Sequence, residues 1–378
     1  MYLDRRRRRQ QSQTRRFLFL AIVAGIAYLV IARTDLVRNP LRPPTPTPLL
    51  TRTALSYVAD AEAFYQEGQL EQAIAAYQEA IAREPENAAL YAAVARLLAF
   101  RGHTKEAVKQ ARRAVDLDGR NALYLAVLGM ALDWDGQYDE AIAVALRAVD
   151  MDPNLAIARA YLAEIYADKG NWNRALEEAR AAVRLDDSDV DVHRNLGYVL
   201  ERQGRYEEAI AAYRRAAEIH PRLGFLYISI GRNYIALGDY DEAIAQFQRA
   251  INVAPESADG YDALGWAYVL QRDPERGIVE LKKAIEVDPE YPTAWAHLGV
   301  AYYMRKNWER AIEAFEKAID LGIVNEEYYY ELGLSYVYLG DCEKGEEWLR
   351  RALELNPQSQ PALQGLQLCA ERAQRKGQ

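Results

Sequence analysis

The sequence is poor in the residues that build metal centres and disulfide frameworks. It has two cysteines, Cys342 and Cys369, among 378 residues. That number excludes a disulfide-rich scaffold and a cysteine-based metal centre, and it leaves open whether the two cysteines pair. The four histidines share no metal-ligand spacing (His103, His193, His220, His297). We therefore expect no metal and no cofactor.

Signatures of catalysis are also missing. We find no G-x-x-x-x-G-K-[ST], G-x-G-x-x-G, H-E-x-x-H or G-x-S-x-G motif. Each motif fixes reactive or phosphate-binding groups at a particular helix or strand end, so their absence argues against the common nucleotide-binding and hydrolase classes. We expect that this protein is not an enzyme.

Positive charge is concentrated at the N-terminus and scarce beyond it. Residues 1–16 hold seven arginines and one acid, a net charge of +6, although the whole chain carries −8. The rest of the chain therefore carries −8 − 6 = −14. Because phosphate binding needs a clustered basic face, we expect no nucleic acid partner.

One long run has no charge: residues 17–32, FLFLAIVAGIAYLVIA. As a helix it would span about 24 Å, slightly less than the ~30 Å hydrocarbon core of a bilayer. The arginine excess before it predicts a basic cytoplasmic tail (1–16), a transmembrane helix (17–32) and a body outside the cytoplasm. A cleaved signal peptide is the main alternative, and a buried helix is a third.

A proline-rich segment follows, over residues 33–53. Five prolines lie within NPLRPPTPTPLLTR at residues 39–52. Proline fixes φ and lacks an amide hydrogen, so we expect an extended spacer. The P-x-x-P match within it leaves a peptide ligand for another protein as an alternative.

A 34-residue repeat runs from residue 54 to residue 359, without insertion or deletion, in nine units. The clearest marker is a column of nine alanines (Ala80, Ala114, Ala148, Ala182, Ala216, Ala250, Ala284, Ala318, Ala352). Within a unit, apolar residues at i, i+3, i+4 and i+7 predict two amphipathic helices. Glycine at unit position 15 and proline near position 32 suit the ends of these helices.

The repeat resembles the tetratricopeptide (TPR) family, whose pattern is W-x2-L-G-x2-Y followed by Ala, Phe and Ala. Unit eight carries it most clearly (Trp295, Leu298, Gly299, Tyr302, Ala311, Phe315, Ala318). The resemblance implies an all-α, right-handed superhelical solenoid of antiparallel helix pairs with a concave groove. Residues 360–378 are expected to form a terminal capping helix and tail.

If that geometry holds, unit positions 2, 5, 6, 9, 12 and 13 face the groove. Aromatic and arginine side chains there are typical of binding hot spots. The candidates are Trp134, Arg194, Asn195, Tyr198, Arg202, Arg232, Trp266, Tyr303 and Tyr330. The alternative is that many of them pack between neighbouring units or form a solvated charged face.

The sequence therefore predicts a membrane-anchored scaffold that binds a peptide or partner protein in its groove. Four of the candidates (Arg194, Asn195, Arg202, Arg232) are suited to an acidic segment or a C-terminal carboxylate. The alternative function is a structural subunit of a secretion, pilus or envelope-biogenesis complex.

Overall fold

The computed structural model describes residues 3–33 and 52–376 of the chain, and their regular structure is entirely α-helical. The chain forms two compact units, residues 1–52 and residues 53–378. Most of the expected proline-rich spacer lies outside the described residues.

The first unit contains helix α1 (Leu3–Arg33). Among the described residues, no helix is both long and apolar enough to cross a bilayer. The predictions of a transmembrane helix at 17–32 and of a single-pass membrane protein with an extracytoplasmic body are therefore wrong. The physical reason is the shortness of the apolar run, which covers about 24 Å of a ~30 Å hydrocarbon core and has arginines close on both sides.

The second unit is a series of antiparallel helix pairs in the 34-residue register. The first helix of each pair, the A helix, is α2 (Ala54–Gln66), α4 (Ala88–Phe100), α6 (Ala122–Trp134), α8 (Ala156–Asp168), α10 (Val190–Arg202), α12 (Gly224–Leu237), α14 (Ala258–Leu270), α16 (Pro292–Met304) and α18 (Glu326–Leu339). The second, the B helix, is α3 (Leu70–Ile81), α5 (Thr104–Leu117), α7 (Tyr138–Met151), α9 (Trp172–Leu185), α11 (Tyr206–Ile219), α13 (Tyr240–Val253), α15 (Pro274–Val287), α17 (Trp308–Asp320) and α19 (Cys342–Leu355).

The turn inside each pair needs a left-handed residue one or two positions after the end of the A helix. Glycine supplies it in seven units, with φ between +72° and +92° (Gly68, Gly102, Gly136, Gly170, Gly204, Gly238, Gly340). Units seven and eight place Arg272 (φ 67°) and Lys306 (φ 57°) there instead. Because a Cβ atom is crowded in this conformation, these two turns carry backbone strain of roughly 1–2 kcal/mol each.

The two helices of a pair cross where a small residue of the A helix meets the B helix. In unit eight, a Cβ atom on Gly299 would lie 2.5 Å from the ring of Phe315, which is fully buried. In unit three the opposing residue is Ala145, and a Cβ atom on Gly129 would meet it at 3.1 Å. The size of the B-helix residue therefore decides whether the crossing needs glycine.

The column of nine alanines on the B helices lies in the core, and each of its members is at most 2 % exposed. Small side chains there allow the next unit to pack closely, so the apolar face that one pair cannot bury alone is covered by its neighbour. At the C-terminal end, α20 (Gln360–Lys376) packs against α18 and α19. A disulfide between Cys342 and Cys369, with Cα atoms 5.6 Å apart, joins α19 to α20.

Candidate binding groove

The groove side of units two to five is held together by buried ion pairs. Asp191 is fully buried, and its carboxylate accepts a hydrogen bond from the hydroxyl of Tyr161 at 2.9 Å. The guanidinium of Arg96 lies 3.4 Å from the same carboxylate. The three side chains come from three different A helices, so they fasten units two, four and five to one another.

Arg194 lies at the centre of a second buried group. Its guanidinium donates to both carboxylate oxygens of Glu164, at 3.1 and 2.6 Å, and to Oδ1 of Asn195 at 2.7 Å. Trp134 donates its indole N–H to Glu164 at 3.0 Å, and its ring lies 5.2 Å from the guanidinium. Burial alone would lower the pKa of Arg194, but the Glu164 carboxylate, together with Asp191 and Tyr161, more than offsets it, so the pKa is raised and the arginine stays charged.

Asp133 adds an unusual carboxyl group beside this cluster. It is 2 % exposed, and neither of its oxygens accepts a hydrogen bond from the described residues. Burial, together with the neighbouring carboxylates of Glu164 and Asp168, raises the pKa of Asp133 to about 9. The group is therefore a neutral acid at pH 7. Nearby, the hydroxyl of Tyr198 donates to Asp168, and Nε of Arg202 lies 3.8 Å from the same carboxylate.

Contacts also cross the groove in this half of the solenoid. The rings of Tyr65 in unit one and His220 at the end of unit five lie 4.7 Å apart. Phe100 in unit two and Phe225 in unit six are also in contact, with ring centroids 5.2 Å apart. Units one and two therefore contact the end of unit five and the start of unit six. A cavity of about 460 Å³ remains in this half of the groove, lined by Trp134, Glu164, Asp168, Arg194, Tyr198 and Phe225.

Units seven to nine present a more open surface. Trp266 is half-buried and stacks on His297, with ring centroids 4.2 Å apart and planes at 12°. His297 is held by Asp262, whose carboxylate oxygen lies 2.8 Å from Nδ1. Further along, Trp308 lies between Tyr303 and Tyr338, at 5.3 and 4.6 Å. The result is a row of aromatic faces that remains accessible.

The end of this row forms a cavity of about 580 Å³ against α20, which we call the terminal pocket. It is lined by Tyr303, Tyr330, Glu331, Leu334, Tyr338, Pro361, Gln364, Gly365, Gln367, Leu368 and Glu371. Glu331 is 6 % exposed, and its Oε2 atom has no hydrogen-bond partner among the described residues. Burial and the neighbouring Glu327 raise the pKa of Glu331 to about 8.

The candidate residues thus fall into separate places. Trp134, Arg194, Asn195 and Tyr198 converge on Glu164 and Asp168. The exposed Arg202 and Arg232 line a different cavity of about 360 Å³. Trp266 lies apart from both, and Tyr303 and Tyr330 share the terminal pocket. The expected grip of Arg194 and Asn195 on a ligand carboxylate is not supported, because Glu164 already occupies the guanidinium.

Sequence reasoning missed the carboxylates, although they occupy the same six unit positions as the candidates. These residues are Asp133, Glu164, Asp168, Asp191, Asp262 and Glu331. A recurring separation along the chain could have revealed several of them. Three hydrogen-bonded pairs have the same sequence separation of 30 residues: Trp134 and Glu164, Glu164 and Arg194, and Tyr161 and Asp191. It joins the groove faces of A helices in neighbouring units.

Helix pairs in a 34-residue register that stack through small-residue crossings define the class of tetratricopeptide-repeat solenoids. Family models described as "TPR repeat" and "Tetratricopeptide repeat" match residues 61–99 and 93–156. The model of "Anaphase-promoting complex, cyclosome, subunit 3" matches residues 134–216. The "Cilia and flagella-associated protein 70 C-terminal domain" model matches residues 184–378, more than half of the chain. The chain belongs to this family, within the tetratricopeptide-repeat proteins, and the predicted repeat is confirmed.

Solved structures show the same fold. The crystal structure of the APC/C hetero-tetramer Cut9–Hcn1 is similar, with a TM-score of 0.67 and 18% identity, over 83% of this chain and 62% of that chain. The chain thus spans less than two thirds of that relative. The human IFIT1 dimer with PPP-AAAA is similar with a TM-score of 0.55 and 21% identity, over 80% of this chain and 73% of that chain. No curated protein matches the sequence.

Proposed function

We propose that this protein is a scaffold that binds an extended segment of a partner protein along the groove of units seven to nine. Tetratricopeptide folds bind proteins or peptides and are generally not enzymes. The observation that carries the proposal is a contrast between the two halves of the groove. In units two to five Arg194 is buried in an ion pair with Glu164, to which Trp134 also donates a hydrogen bond. Trp266 and Tyr303 in units seven and eight are half-buried like Trp134, but they pack against the aromatic rings of His297 and Trp308.

The free energy of binding explains why this contrast matters. A ligand carboxylate that binds Arg194 or Arg96 in units two to five would have to displace Glu164 or Asp191, which would leave a buried charge unpaired. A ligand of units seven to nine covers aromatic surface that already faces outward, so it gains apolar burial without breaking an ion pair. We therefore assign the main binding surface to the C-terminal half.

The test is selection of peptides from a random library on the immobilised full chain, followed by affinity measurement with variants. We expect Trp266→Ala to weaken the selected peptides at least tenfold. The matched control is Trp172→Ala, which removes a 40 % exposed tryptophan from the B helix of unit four. The thermal unfolding temperature of each variant is compared with that of the wild type. Equal affinity of both variants for the selected peptides would contradict the proposal.

The alternative function, a structural subunit of a larger complex, stays a prediction. It is favoured if the library yields no binder and a natural assembly containing this chain survives Trp266→Ala unchanged.

A further inference from the structure

The terminal pocket differs from the rest of the groove in its charge. None of its lining residues is basic, whereas Glu331 and Glu371 are acidic. Gln367 donates to Glu371 at 2.9 Å, so that carboxylate already has a partner. Glu331 is left as the buried acid that faces the cavity from α18.

The buried carboxyl group of Glu331 has an oxygen atom without a hydrogen-bond partner in the described part of the chain. Only 6 % of it is exposed, and Oε2 has no hydrogen-bond partner among the described residues. The ionisable groups around it are Glu327, Tyr328 and Tyr330 on its own helix and Tyr303 on α16. On the pocket wall lie Tyr338 of α18 and Glu371 of α20. Arg372 of α20 donates to the backbone carbonyl of Val337 and does not line the pocket. No cation is among the lining residues or among the causes that shift the pKa of Glu331.

The pocket also offers aromatic faces. Tyr303, Tyr330 and Tyr338 all line it, and Tyr338 is 42 % exposed. The negative face of an aromatic ring attracts an ammonium or guanidinium group, and the attraction grows where water is excluded. Three rings beside an unpaired carboxyl group are complementary to a cation on an apolar stem.

We propose that the terminal pocket binds a lysine or arginine side chain of the partner polypeptide, with its stem against the tyrosine rings and its charge at Glu331. This inference rests on the proposed function and adds the chemistry of the partner. It replaces the expected acidic partner with a basic one. The cation supplies the partner that Oε2 lacks, and the carboxyl group gives up its proton when the cation enters.

The experiment titrates the full chain with a capped pentapeptide that has lysine between alanines. A second pentapeptide has norleucine at the centre, which keeps the stem and removes the charge, and a third has arginine. We expect the lysine and arginine peptides to bind at least tenfold more tightly than the norleucine peptide. Calorimetry or ligand NMR measures the affinities.

Glu331→Gln is the decisive variant, because glutamine has the shape of the protonated acid and the fold is expected to persist. We expect it to abolish the preference for lysine, whereas Glu313→Gln, an exposed glutamate on α17, leaves it intact. Equal binding of the norleucine and lysine peptides, or unchanged lysine binding in Glu331→Gln, would overturn the proposal.

A pH series provides a second readout that a merely structural role would not move. Binding of a cation must ionise Glu331, whose pKa is about 8 in the free protein. Lysine affinity should therefore rise by up to about tenfold per pH unit between pH 6 and 8, and Glu331→Gln should flatten this rise.

The two proposals fail in different ways. Library peptides that bind through Trp266 without needing a basic residue would support the scaffold function and refute the binding of a lysine or arginine side chain in the terminal pocket. A lysine peptide that needs Glu331, in a chain that selects no library peptide, would retain the pocket and refute the extended groove.

Discussion

Replacing Asp133 with asparagine tests the buried charge cluster of units three to five. The wild-type carboxyl group has a pKa of about 9 in the folded protein, against 3.8 for an aspartate without such neighbours. Between these values the folded state holds one proton more than the unfolded state. The free energy of unfolding therefore falls as pH rises, with a slope of about 1.4 kcal/mol per pH unit.

From pH 5 to pH 8, this slope lowers the free energy of unfolding of the wild type by up to about 4 kcal/mol. The substituted asparagine would have the shape of the neutral acid and could donate an N–H group, but it does not titrate. We expect Asp133→Asn to remove most of the pH-dependent loss and to be the more stable protein at pH 7 and 8. At pH 4 the two proteins should differ little.

Hydrogen exchange of α6 and α8 is the appropriate assay, because units of a repeat array can open locally. It is measured at pH 5 and pH 8 with correction for the intrinsic exchange rate. The matched control is Asp150→Asn, which removes one exposed charge from the B helix of the same unit. If Asp133→Asn kept the full pH dependence of the wild type, our account of this cluster would be wrong.

Three further predictions concern the solenoid itself. Gly299→Ala should lower stability by roughly 1–3 kcal/mol through overpacking at its crossing, and clearly more than Gly129→Ala, as urea unfolding can show. Lys306→Gly should raise stability by about 1 kcal/mol by relieving its left-handed conformation; a lower thermal midpoint would contradict this. Cys342→Ser should destabilise the C-terminal end by up to about 3.5 kcal/mol in oxidising buffer, and reductant should then affect only the wild type.

The groove positions illustrate how far sequence reasoning reached into the site. The stripe was expected because residues three and four apart share a helix face, and its aromatic residues stood out by type. The partners of those residues could not be assigned in the same way. Glu164 could pair with solvent, with a ligand or with Arg194, and only the packing of α8 against α10 decides among these.

For the N-terminal segment, sequence reasoning assigned a structure that was wrong. Residues 17–32 were interpreted as a membrane span from their apolarity and the arginines before them, although a sixteen-residue helix covers only about 24 Å of a ~30 Å hydrocarbon core. The described residues contain no helix that satisfies length and apolarity together. Composition alone was too weak a criterion for that assignment.

The sequence by itself determined the helix pairs, their period and the nature of their turns. These features depend on local patterns that recur in every unit of the 34-residue repeat, so each unit reinforces the assignment of the next. Only the tertiary structure decided which part of the groove is open. Contacts such as that between Tyr65 and His220 join units far apart in the chain. They depend on the summed curvature of several helix crossings, which no single repeat encodes.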